Sequence, residues 1–114
     1  MSKRLLGKSV ASPVDVASFE HGEVRKANLD GFRVALRILE PGWRSSEHVK
    51  LQAGTESCQV LHRGYVISGR TRIVMDDSSE MEIGPGDAYV IPPGHDNWVV
   101  GDETFLGVDF TLED

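Results

Sequence analysis

The sequence has a single cysteine, Cys58, and therefore no internal disulfide. That fits a reducing compartment, and the cytoplasm is the expected location. It has no apolar run of about 18 residues, the length a transmembrane helix needs. Lys3, Arg4 and Lys8 lie near its start, but the apolar residues around them are too scattered for a signal-peptide core. Positive charge is short as well: 12 Lys and Arg stand against 18 Asp and Glu, a formal charge of −6. Nothing in that balance favours nucleic acid or an anionic membrane as a partner. No window has sustained helical periodicity, no segment repeats at a fixed period, and no tract is of low complexity.

What the chain does have is turns. Twelve Gly and 5 Pro punctuate 114 residues, and the 39% hydrophobic share is enough for one core. Residues 1–24 are polar and weakly patterned, and read as an N-terminal arm that packs along the domain or a neighbouring subunit. Residues 25–114 read as a single domain. Phe32, Val34, Leu36 and Ile38 alternate with Arg33, Ala35 and Arg37, a period-two strand with one wet face. Pro41-Gly42 ends it, and a strand from Trp43 to about Leu51 is expected next.

A hairpin is expected from Val60 to Ile67, around Ser68-Gly69, and back from Arg70 to Met75. Asp76-Asp77-Ser78-Ser79 and Gly84-Pro85-Gly86-Asp87 are turn sequences that bracket a short strand, Glu80 to Ile83. Ala88 to Ile91 and Asn97 to Val100 flank the rigid corner Pro92-Pro93-Gly94, and Thr104 to Leu112 forms the last strand. Many short strands between turn signals indicate an all-β sandwich or barrel.

Three histidines stand out. His95 directly follows the Pro-Pro-Gly corner, while His48 and His62 sit at strand positions that can meet it. Neutral imidazoles from separate strands around one cavity can hold a divalent ion, and three protein ligands leave positions open for water or substrate. Each histidine also has an ordinary reading, as a surface residue or a turn cap. Cys58 and Glu56 are second-rank ligands, the former more often a small buried hydrophobe and the latter a solvated loop residue. Asp96 or Asn97 can fix a histidine tautomer, although an Asx turn, which needs no metal, is the preferred reading of both. Lys50 is read first as a snorkelling edge residue.

These motifs resemble those of the cupin superfamily. Gly86, followed after five residues by Pro92-Pro93-Gly94, matches its second signature, with Asn97 at the histidine position and His95 two residues earlier. Along a strand, that offset keeps His95 on the same face. Gly42 and His48 match the opening of the first signature, with Lys50 at its second histidine. His62 and Gly69 match its close, with histidine replacing the usual glutamate. Eleven residues, Leu51 to Leu61, are inserted between the halves.

The resemblance implies an all-β cupin-type jelly-roll barrel. It also implies one divalent metal (iron, manganese, nickel or zinc) on His48, His62 and His95, with Glu56, Cys58 and Asn97 in reserve. The implied function is binding or transforming a small organic molecule. An enzyme of this kind would be a metal-dependent oxygenase or isomerase. The alternative is a non-catalytic metabolite-binding or sensor cupin, with or without metal. Exposed sheet edges, together with the apolar positions Val14, Val16 and Phe19, lead us to expect a homodimer.

Overall fold

Alternation along each strand decides which side chains face inward, and strand pairing decides which of them meet. The computed structural model describes residues 4–11, 15–48 and 57–112, apart from the side chain of His48. Among them lie β1 (Asp15–Phe19), β2 (Gly22–Leu29), β3 (Phe32–Leu39), α1 (Ser45–His48) and β4 (His62–Ser68). They are followed by β5 (Arg70–Met75), β6 (Glu80–Ile83), β7 (Ala88–Ile91), β8 (His95–Val100) and β9 (Phe105–Leu112). The strands form two antiparallel sheets, ordered β1-β2-β3-β9-β4-β7 and β6-β5-β8. This is a jelly roll. Leu39, Val66, Tyr89, Ile91 and Phe105 of the large sheet pack against Ile73, Ile83 and Val99 of the small one, with Trp43 between strands completing the core.

β5, β6 and β7 run over the residues the turn signals bracket. Two expectations fail. The pair β4 and β5 is not a hairpin: β4 joins β7 and β9, whereas β5 joins β6 and β8. At Ser68-Gly69 the chain leaves one sheet for the other, just after a register shift between Val66 and Ser68. Such a corner has the same local composition as a two-residue hairpin turn, and only the partners of each strand tell them apart.

The second failure lies at residues 43–51. Instead of a strand, Ser45–His48 forms one helical turn. Its start is tied to Asp96, which accepts from the Ser46 amide at 3.1 Å, the Ser45 hydroxyl at 2.9 Å and the Ser46 hydroxyl at 3.1 Å. A carboxylate at the first turn satisfies open amides and suits the helix dipole. Burial opposes the charge on Asp96, but these bonds and Arg44 hold its carboxyl below the usual range. Arg44 also stacks on Trp98, 4.6 Å from the ring centre.

β3 is amphipathic in an unexpected sense. Arg33, Ala35, Arg37 and Leu39 line the interior cavity, with Arg37 and Leu39 buried. Phe32, Val34, Leu36 and Ile38 face the other way. There they pair with Leu112, Phe110, Val108 and Leu106 of β9. The outside of the large sheet is therefore apolar, and Tyr65, Ile67, Val90, Phe110 and Leu112 are exposed on it. Residues 15–24, within the stretch read as an arm, supply β1 and the start of β2, and Phe19 packs against the core.

Candidate metal centre

The Pro92-Pro93-Gly94 corner places His95. Gly94 has φ of +91°, a left-handed conformation that costs glycine little. Its amide donates to the Cys58 carbonyl at 2.8 Å. Cys58 forms a β-bridge with His95, its own amide donating to the His95 carbonyl at 2.8 Å. Residues directly opposed in an antiparallel bridge present their side chains on the same side. Thiol and imidazole are neighbours for that reason.

His62 enters from β4, in the other sheet. Its ring meets that of His95 edge-on, with centroids 5.3 Å apart. One donor atom from each of Cys58, His62 and His95 lies within 4.8 Å of the others. Both Nδ1 atoms are already committed, to the Asp109 carboxylate from His62 and to the Pro92 carbonyl from His95, each at 2.7 Å. A carbonyl oxygen can only accept, and so can an ionised carboxylate, so both Nδ1 atoms carry the proton. Each Nε2 is left with its lone pair. Burial lowers both imidazole pKa values, which keeps the rings neutral near pH 7 despite the nearby carboxylate.

Asp109 is the hub. Besides His62, it accepts from the Tyr89 hydroxyl at 2.5 Å and faces Arg37 Nε at 3.9 Å. Burial disfavours its charge, yet the bonds from His62 and Tyr89 and the Arg37 cation hold its carboxyl below the usual range. Burial pushes the Tyr89 hydroxyl far above its normal pKa, so it remains a donor. Tyr89, Gly64 and Asp109 are aligned across three strands. Gly64 has no side chain, so Tyr89 can reach over it; a Cβ there would stand 2.7 Å from the hydroxyl and collide with the Val108 carbonyl.

The site opens into a cavity of about 340 Å³ lined by Cys58, His62, His95, Arg37, Asp109 and Trp43, among others. Residues 43–108 match the family model of the EutQ-like cupin domain, more than half of the chain. The chain belongs to that family.

No curated protein matches this cupin significantly. Its fold is similar to that of oxalate decarboxylase from Lactobacillus farciminis in a formate complex, with 19% identity and a TM-score of 0.64. That alignment covers 87% of this chain but 31% of the decarboxylase, so the cupin spans about a third of that protein. Ectoine synthase from P. lautus aligns over 95% of this chain and 78% of its own, with 15% identity and a TM-score of 0.68. A Rhizobium leguminosarum bv. viciae 3841 protein of unknown function aligns over 97% and 99%, with 19% identity and a TM-score of 0.67. At these identities the likeness concerns the fold.

Of the histidines singled out in the sequence, the cupin fold brings His62 and His95 together, and Cys58 joins them. The side chain of His48, together with Lys50 and Glu56, lies outside the described residues. Asn97 faces inward like His95 and is fully buried, but it is not among the residues lining this cavity. Sequence reasoning missed Asp109, Tyr89 and the inward turn of Arg37. The one usable signal was Asp109 amid the apolar residues of the last strand.

The donor set fits a metal ion. Ligands on a tetrahedral ion such as zinc sit roughly 3.3–3.8 Å apart, so small torsional adjustments would close this trio on one. The carboxylate behind His62 is the support that ligating histidines usually have.

Proposed function

We propose that this chain is a small single-domain cupin that holds one divalent metal ion through Cys58, His62 and His95 and binds or transforms a small organic molecule beside it. The supporting observation is that both Nδ1–H groups are committed, leaving each Nε2 lone pair open, in a cluster of Cys58, His62 and His95 whose ligand atoms, one from each residue, lie within 4.8 Å of one another. Two imidazoles and a thiolate suit zinc, iron or nickel better than manganese. The bound ion would supply Lewis-acid polarisation of a substrate oxygen. The protein would supply orientation through Asp109 and Pro92, and a cavity that limits water. His48 remains part of this proposal as a fourth ligand, with Glu56 and Asn97 as reserves.

Metal analysis after chelation and reloading with zinc, iron, nickel or manganese tests the reading. The wild type is expected to bind one of these ions, with His62→Ala and Cys58→Ser weakening binding by about 100-fold or more in a chelator competition. A wild type that binds none of the four, or variants of unchanged affinity, would overturn it.

Binding without turnover is the second reading. Asp109 is the one carboxylate among the described cavity residues, each of its oxygens already accepts a hydrogen bond, from His62 or Tyr89, and a carboxyl held below the usual range is a poor general base. If turnover does occur, oxygenase or isomerase chemistry is the proposed class.

We further propose a cytoplasmic homodimer, supported by the apolar outer face of the large sheet, where Phe110 stacks on Phe32 and Tyr65, Ile67 and Val90 are exposed. Residues 1–24 would act as an arm on the 25–114 domain or its partner. Light scattering is expected to give twice the mass of the chain, with Ile67→Asp and Phe110→Asp shifting it to the monomer. A monomeric wild type at micromolar concentration would remove this proposal.

A further inference from the structure

The cavity reverses the charge of the protein. The whole chain has 12 basic residues against 18 acidic ones. Yet Lys26, Arg33 and Arg37 line the cavity from the inward faces of β2 and β3, while Asp109 is its single carboxylate among the described residues. Arg37 is the decisive one. It is 5% exposed, and its Nη1 is buried without a hydrogen-bond partner. A buried guanidinium with an open donor is costly unless something accepts from it.

Asp109 does not fill that role. One of its oxygens takes the Tyr89 hydroxyl and the other takes His62, so Arg37 Nε remains 3.9 Å away, beyond hydrogen-bond distance. Trp43 Nε1 is a second buried donor without a partner, on another residue lining the same cavity. Both lack an acceptor. The rest of the wall includes Phe19, Val24, Leu39, Val60 and Leu61, which would receive an apolar body.

We propose that the cavity binds a small organic monocarboxylate, its oxygens taken by Arg37 beside the Cys58–His62–His95 cluster and its hydrocarbon part set against the apolar wall. A planar guanidinium matches a carboxylate in shape as well as charge. The apolar lining favours an organic acid over inorganic phosphate. This deepens the metal reading and rests on it for one argument. At the centre itself, a divalent ion with one thiolate keeps a single net positive charge and Arg37 and Asp109 cancel, so one negative charge on the ligand neutralises these groups, with Lys26 and Arg33 as further positive charge in the lining.

Calorimetric titration of the metal-loaded protein with butanoate, hexanoate and benzoate, with hexanamide and inorganic phosphate as controls, tests the inference. At least one acid is expected to bind, with hexanamide weaker than hexanoate by about tenfold or more. Arg37→Met keeps the aliphatic stem, and is expected to weaken acid binding by about 10–100-fold when compared with the wild type at equal metal loading.

The inference is overturned if none of the three acids binds, if amide and acid bind alike, or if Arg37→Met binds like the wild type. Phosphate outcompeting every acid would also overturn it, marking an inorganic anion site. Should Arg37→Met not fold, the acid–amide comparison on the wild type still decides. Repeating the titration on chelated protein separates the two readings. Arg37-dependent acid binding in a protein that takes up no metal leaves the carboxylate site standing alone. Metal uptake with no acid preference removes the carboxylate and leaves the metal.

Discussion

Replacing Asp109 by alanine is expected to lower the free energy of unfolding by about 3–5 kcal/mol, as removal of one partner from a buried charged network does. The substitution takes away the acceptor for His62 and for the Tyr89 hydroxyl, and the only anion close to the buried Arg37 guanidinium among the described residues. Three polar groups are stranded at once. The effect should far exceed that of breaking the exposed Arg70–Glu82 pair, where about 0–1 kcal/mol is at stake. Asp109→Ala should also cost about 10–100-fold in metal affinity, because the His62 ring loses the bond that orients it. Urea unfolding of the metal-free protein, paired with chelator competition, measures both. A loss no larger than that of the surface pair would mean that Asp109 is not the hub of this network.

Phe105→Ala is the second large effect, expected at about 3–5 kcal/mol from lost transfer energy and the void left behind. Phe105 is fully buried at the start of β9, opposite Leu39, and Arg37 lies 5.9 Å from its ring centre. Its ring occupies space that Gly107 leaves open, since a Cβ there would be 2.7 Å from the ring edge. The truncation therefore opens a void under the guanidinium and removes an aromatic face beside it. Phe110→Ala, five residues along the same strand but 43% exposed, is the control and should cost much less. Equal losses for the two in urea unfolding of the monomeric species would show that the strand does not pack as described.

Much of this domain was legible in the sequence because the information was local. Turn residues bracket β5, β6 and β7 closely, since Gly, Pro and Asp act on the backbone within a few residues. The Pro-Pro-Gly corner singled out His95, and the two-residue offset along a strand put His95 and Asn97 on one face without deciding which of them meets the cavity. The fold class followed from the density of short alternating segments.

The centre was less legible because its partnerships are not local. Cys58 reaches His95 through a bridge spanning a long stretch of chain, and its place inside the insertion Leu51 to Leu61 hides that register. Asp109 reaches His62 because β4 pairs with β9, the first strand of the second half of the fold meeting the last. The same topology turned an expected hairpin at Ser68-Gly69 into a corner between sheets. Alternation in β3 gave two faces but no sign. Apolar Phe32, Val34, Leu36 and Ile38 lie outside, while Arg33 and Arg37 face in, because the interior here is a polar cavity and the exterior an apolar sheet.

By itself, then, the amino-acid order determined that the chain would be an all-β domain of short alternating strands, since backbone preference and side-chain periodicity are written residue by residue. Tertiary structure alone decided that Cys58 joins His62 and His95, that Asp109 and Arg37 form the wall behind, and that the cavity is cationic. Those outcomes depend on which strands pair and which face of each is enclosed. That choice is made by the packing of the whole domain.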